Sequence, residues 1–195
     1  AEENGSGAAK MIQDGALDNP KVDAIFGLHG WPGLKVGTVA TKAGALLASV
    51  DALNIRIYGQ GCHAAKPQEG VDPIVCAAAM IQGLQQVVAR ETEPGEAAVL
   101  TIAQIHAGSN YNIIPETAEL NGTIRALTEE CREAVVNSVQ RIATGIAAAH
   151  NCRVEVEFYG RTPSTINPPA MADLVKQVAQ RQLGPEHYLP VGRAT

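Results

Sequence analysis

Cysteine is scarce in this chain, and the four that occur, Cys62, Cys76, Cys131 and Cys152, form no CxxC pair and no zinc-ribbon spacing. That excludes a disulfide framework and a thiolate zinc site, and it reads as reduced thiols in a cytoplasmic setting. Long apolar runs are also missing, so no segment approaches the ~18–20 residues of a membrane span. Clustered Lys and Arg are absent, and the net charge is −5, which argues against a nucleic-acid surface. The opening AEENGSG is acidic and small, the opposite of a secretory signal, and no initiator Met precedes it. Neither internal repeats nor low-complexity segments occur. What remains is a globular composition, 46% hydrophobic and 18% charged over 195 residues, enough for one large domain or two small ones.

In chain order, residues 5–16 read as a helix with Ala8, Met11 and Ile12 on one face. A turn at Asp18, Asn19 and Pro20 leads to Ala24–Leu28, an apolar run expected to be a strand that ends at His29 and breaks into Gly30, Trp31, Pro32 and Gly33. Val36–Lys42 is expected to be another strand and Gly44–Ser49 a connector. From Asp51 the character changes. Leu53, Ile55 and Ile57 alternate with Asn54, Arg56 and Tyr58, the mark of a half-buried strand. The glycine-rich turn GQGCHAAKPQEGVDP precedes a helix from Pro73 to about Glu91, with Asp72 as its N-cap. Strands at Glu96–His106 and Glu116–Leu127 flank the loop AGSNYNIIP. A helix from Glu129 to His150, capped by Thr128, carries Val135, Val139, Ile142 and Ile146 on one face, and Arg153–Tyr159 is a last alternating strand. The order β-α-β-β-α-β over 51–159 predicts a ferredoxin-like α+β arrangement, a four-stranded antiparallel sheet with two helices on one face. A helix at Met171–Leu183 follows, and the tail GPEHYLPVGRAT shows no regular pattern.

Several side chains admit two readings. His29 at a strand end is either structural or a metal ligand at the rim of a sheet. Glu2 and Glu3 are either solvated acids or a base and a metal ligand, since adjacent carboxylates can divide those tasks. His63 is either a polar loop residue or a donor to an oxyanion. Cys62 beside it lacks the third orienting group that a thiol nucleophile needs. Asn112 precedes a strand, and Arg125, thirteen residues on, is either exposed or a two-pronged clamp for a carboxylate. His106, His150 and His187 have no convergent partner in the sequence.

AEENGSGAAKMIQDG, NPKVDAIFGLHGWPGLKVGTVATKAG, the GxGxHAA–P–GVDP turn, NIIP and ELNGTIRAL occur together in an order that resembles the dinuclear metal amidohydrolases, the group of hippurate hydrolase, aminoacylase, carboxypeptidase G and the auxin–amino acid conjugate hydrolases. The resemblance spans about residues 1–183. It implies an α/β protein: a partial phosphorylase/hydrolase-like catalytic domain (1–50 and, on return, 160–195) with an inserted lid and dimerisation domain (51–159). It implies metal-dependent hydrolysis of N-acyl amino acids with two divalent ions, zinc or manganese. Glu2 would be the general base, Glu3 and His29 metal ligands, His63 the lid histidine reaching a partner subunit's site, and Asn112 with Arg125 the binders of the substrate carboxylate. A homodimer through the lid is implied as well. Gln68 departs from the pattern, standing where many relatives have a second lid histidine. Further ligands expected upstream and downstream are not in this chain, which therefore reads as an internal piece of the enzyme, inactive alone. The rival expectation is an orphan lid acting as a non-catalytic dimerisation or small-ligand module.

Overall fold

The computed structural model describes residues 7–191 and divides into two compact units, Ala1–Leu46 with Ile166–Thr195, and Leu47–Thr165. The first unit opens with α1 (Gly7–Gln13), β1 (Val39–Thr41) and β2 (Gly44–Leu47). The second runs through β3 (Val50–Tyr58), β4 (Cys62–His63), α2 (Pro73–Gln86), β5 (Ala98–Ala107), β6 (Ile113–Ile114), β7 (Thr117–Ala126), α3 (Glu129–Ala149) and β8 (Arg153–Thr162). The chain then returns through β9 (Thr165–Asn167), α4 (Pro169–Leu183) and β10 (Tyr188–Pro190). Among the described residues no helix is long and apolar enough to cross a membrane.

The second unit is built as its alternation dictates. Its sheet has the order β5-β7-β3-β8, and every neighbouring pair is antiparallel. Leu53, Ile55 and Ile57 of β3 stand opposite Gly122, Leu120 and Ala118 of β7, so both strands present one apolar face. That face packs against Met80 and Leu84 of α2 and Val135, Val139 and Ala143 of α3, all buried in one cluster. The helices start where their caps stand. Asp72 accepts from the amides of Ile74 and Val75, with Pro73 in the first turn, and Thr128 accepts from the amide of Cys131. The last turn after α2, Val87–Glu91, widens to a π-helix. The other sheet face is polar. There Asn54 donates to Glu119 (2.5 Å) and Asn121 (2.8 Å), the hydroxyl of Tyr58 donates to Glu155, and the Arg153 guanidinium lies 3.7 Å from the Tyr58 ring centroid.

A buried ion pair interrupts the apolar face. Asp51 is fully enclosed and accepts from Arg132 Nε (2.7 Å), Arg132 Nη2 (2.8 Å) and Arg161 Nε (2.9 Å). Arg132 also donates to Glu129, and Arg161 to Glu133. The network ties the start of β3, the first turns of α3 and the end of β8 together.

Four expectations are corrected in the first unit. Ala24–Leu28 is not a strand: it has no regular structure, and Ile25, Phe26 and Leu28 are exposed, Leu28 to 94%. An apolar run becomes a strand only when a neighbour takes up its backbone groups, and none of the described residues does so here. Val36–Lys42 shortens to β1, while Gly44–Leu47, expected as a connector, is β2 and pairs with β9. The patternless tail forms a 3-10 turn at Pro185–His187 and then β10, which runs parallel to β1 with Val39 opposite Tyr188. The Tyr188 hydroxyl donates to the carbonyl of Thr41, and Asn167 donates to that of Lys42.

Candidate functional site

His63 is held by the turn that the glycines make possible. The chain doubles back so closely that Gln60 and Val71 exchange both backbone hydrogen bonds, at 2.9 and 3.0 Å. A Cβ on Gly59 would lie 2.2 Å from the Val71 carbonyl oxygen, and one on Gly70 would lie 2.5 Å from that of Gln60. No side chain fits at either position. Within this turn Cys62 and His63 pair with Ile114 and Ile113, the Lys66 amide donates to the His63 carbonyl (2.8 Å), and the Ala64 amide donates to the Asn112 carbonyl (3.0 Å). His63 and Asn112 are thus brought together. The His63 ring is exposed, and its Nδ1 accepts from the Ala65 amide at 3.1 Å. Asn112 Oδ1 is buried without a hydrogen-bond partner among the described residues, a costly arrangement for an amide oxygen, about 1–3 kcal/mol.

An open groove of about 880 Å³ adjoins the histidine, walled by Cys62, His63, His106, Ser109, Glu116 and Glu119. His106, which had no convergent partner in the sequence, therefore shares a groove with His63. The β5–β7 register does this by setting His106 opposite Glu119. Glu119 is held below the usual carboxylate range, chiefly by the Asn54 hydrogen bond and further by Arg56 at 3.6 Å.

Arg125 is not part of this cluster. It is exposed near the far end of β7, opposite Val99. From Thr117 to Arg125 the strand covers about 26 Å at roughly 3.3 Å per residue. His29 lies in the first unit, exposed, with Nδ1 2.6 Å from the Gly30 carbonyl and its ring 5.8 Å from that of Trp31. Facing a carbonyl, Nδ1 must donate, which leaves a lone pair on Nε2, the form that binds metals. Among the described residues no group of three or more His, Cys, Asp or Glu converges to hold an ion. One imidazole is not a metal site. Glu2 and Glu3 lie outside the described residues.

The profile described as the M20 peptidase dimerisation domain matches residues 49–151, the stretch that carries this turn, groove and sheet. This chain belongs to the M20 family. The family comprises metal-dependent amidohydrolases. N-acetyl-L-cysteine deacetylase of Bacillus subtilis is 40% identical to it over 181 residues, 93% of this chain and 43% of that enzyme. An IAA-amino acid hydrolase of Arabidopsis thaliana is 35% identical over 193 residues, 97% of this chain and 43% of that enzyme. Among solved structures, a dinuclear metal binding M20 peptidase of Bacillus subtilis is 35% identical, with a TM-score of 0.74 over 100% of this chain and 47% of that one. The chain thus spans less than half the length of the M20 enzymes it matches.

Proposed function

We propose that this chain is part of a metal-dependent amidohydrolase that cleaves the amide bond of N-acyl amino acids, with residues 51–159 serving as a ferredoxin-like lid between two portions of a catalytic domain, 1–50 and 160–195. The observation that carries this reading is the separation just described. The groove beside His63 reaches β7 as far as Glu119, and Arg125 lies six residues, about 20 Å of strand, beyond it, farther than a small substrate spans within one copy. Two copies can each supply one end: His63 and Asn112 from one, Arg125 from the other. Asn112 then acts beside His63 and not as the immediate neighbour of Arg125 in its own subunit.

The two edges of the sheet support a homodimer. On β5, Val99 and Ile105 are exposed, and neighbouring α2 exposes Ile74 and Val75. The opposite edge, β8, carries Arg153, Glu155, Glu157 and Arg161, all exposed, which discourages pairing there. A second copy joined along β5 buries the apolar edge.

In this reading His63 stabilises the oxyanion of the tetrahedral intermediate and Arg125 anchors the substrate carboxylate with its two-pronged guanidinium. Glu2 is the general base, and Glu3 and His29 are ligands for divalent metal, zinc or manganese. Those two ligands fall short of a complete two-metal site, since even one zinc ion usually takes about four ligands. The test is to express the chain within its full genomic reading frame and assay release of free amino acid from N-acyl amino acids. Hydrolysis is expected, and Glu2→Gln should abolish it with metal content unchanged. Full activity in Glu2→Gln overturns the base assignment. Stop codons flanking the segment would favour the orphan lid instead.

A further inference from the structure

We infer that the Ala65 backbone amide fixes His63 as its Nε2–H tautomer, so that the lid histidine works as a neutral hydrogen-bond donor and not as a proton acceptor. The Ala65 amide donates to His63 Nδ1 at 3.1 Å. An amide N–H can donate only to a lone pair, so Nδ1 carries no proton while that bond exists. The neutral ring must then hold its proton on Nε2, for which the described residues offer no partner. A doubly protonated ring would set one N–H against another and lose the bond.

The amide is not free to turn away. The Ala64 amide is committed to Asn112 and the Lys66 amide to the carbonyl of His63 itself, so Ala65 sits between two fixed peptides. His29 makes the contrast. Its Nδ1 faces the Gly30 carbonyl and must donate, leaving Nε2 as an acceptor. The two histidines are held by backbone groups in opposite tautomers, one suited to binding a cation and the other to steadying an anion.

The chemical consequence rests on the function proposed above. With Nε2 already protonated, His63 cannot take a proton from water. It can donate a hydrogen bond to the negative oxygen of a tetrahedral intermediate without transferring the proton. Ala65 is therefore a positioning residue that acts through its main chain, where no side-chain motif records it.

The test begins with a long-range proton–nitrogen correlation spectrum of this chain, 15N-labelled, under conditions where its five histidine rings are neutral. His63→Gln identifies the His63 signals. We expect Nδ1 of His63 at the unprotonated position, Nε2 at the protonated one, and a scalar coupling between Ala65 N and His63 Nδ1. Ala65→Pro, which removes the amide proton, should move the ring toward the tautomer mixture of free imidazole. A protonated Nδ1, or an absent coupling in the unsubstituted protein, overturns the inference even if Ala65→Pro fails to fold. In the full-length enzyme, His63→Gln keeps an amide nitrogen at the reach of Nε2, whereas His63→Asn does not. The expected loss of kcat is within about tenfold for Gln and about 10²–10³-fold for Asn, with KM changed little. The reverse order refutes the donor role. Absence of any amide hydrolysis by the full-length enzyme would defeat the functional reading and leave the tautomer standing, because that is measured without substrate.

Discussion

Removing the buried charge at the start of β3 should unfold the larger unit more readily than any surface change. Asp51 is completely enclosed, and its main partner Arg132 is 6% exposed, so neither charge is solvated. Asp51→Asn preserves size but removes the buried counter-charge of the Arg132 guanidinium and leaves it only the half-exposed Glu129, where breaking a buried pair costs about 3–5 kcal/mol. At roughly 2–4 °C per kcal/mol for a chain of this length, Tm should fall by about 6–20 °C. Arg161, 41% exposed, is screened, so Arg161→Ala should cost about 1 kcal/mol or less. Urea unfolding followed by circular dichroism measures both losses. The double variant Asp51→Asn with Arg132→Met removes both charges and should be more stable than Asp51→Asn alone. Acid provides an independent check. Burial alone would raise the Asp51 pKa, but the hydrogen bonds and charges of Arg132 and Arg161 outweigh it and hold it below 3.8. The stabilisation is therefore complete above pH 3.8 and drains away as pH falls through the lower folded value, so the gap between wild type and Asp51→Asn should close there. A loss under about 1 kcal/mol at neutral pH, the value of an exposed pair, would refute the reasoning.

Two further outcomes follow from the edges and from burial. Val99→Lys with Ile105→Lys should convert a dimer to monomer in sedimentation, while Glu157→Lys on β8 should leave it intact; a dimer that survives the β5 charges places the interface elsewhere. Cys62 should react with a thiol reagent in the native protein, whereas Cys76, Cys131 and Cys152 should react only after unfolding, because all three are buried and burial pushes the Cys76 thiol up to about 12. Fast native labelling of more than one thiol would contradict that packing.

Local chemistry made much of the larger unit legible. The alternation around Leu53, Ile55 and Ile57 and the caps at Asp72 and Thr128 act over a few residues, and the strands and helices stand where those signals put them. What escaped depends on distant partners. Ala24–Leu28 has the composition of a strand, but composition does not supply a neighbour. Asp51 reads as an ordinary polar residue at a strand start, since the arginines that hold it lie 81 and 110 residues away. His106 gained its place in the groove only through the β5–β7 register, bulge included. Of the candidate site residues, His63 and Asn112 are joined at the short β4–β6 pairing, and the chain from Asn112 to Arg125, thirteen positions on, runs out along β7 and away. The Ala65 amide could not be seen at all, because every residue but proline carries one.

The charged edge at β8 has a consequence for assembly size. A sheet that welcomes strands on both sides can keep adding copies and grow into a ribbon. Here one margin, β5, exposes Val99 and Ile105 and carries no Lys, Arg, Asp or Glu, and the other is a row of arginines and glutamates. Growth that begins at the first margin meets the second facing outward on each copy, and there it ends. In the homodimer proposed above, the charges that leave β8 without a neighbour among the described residues would hold the count at two, as a closed two-fold pair and not an open filament.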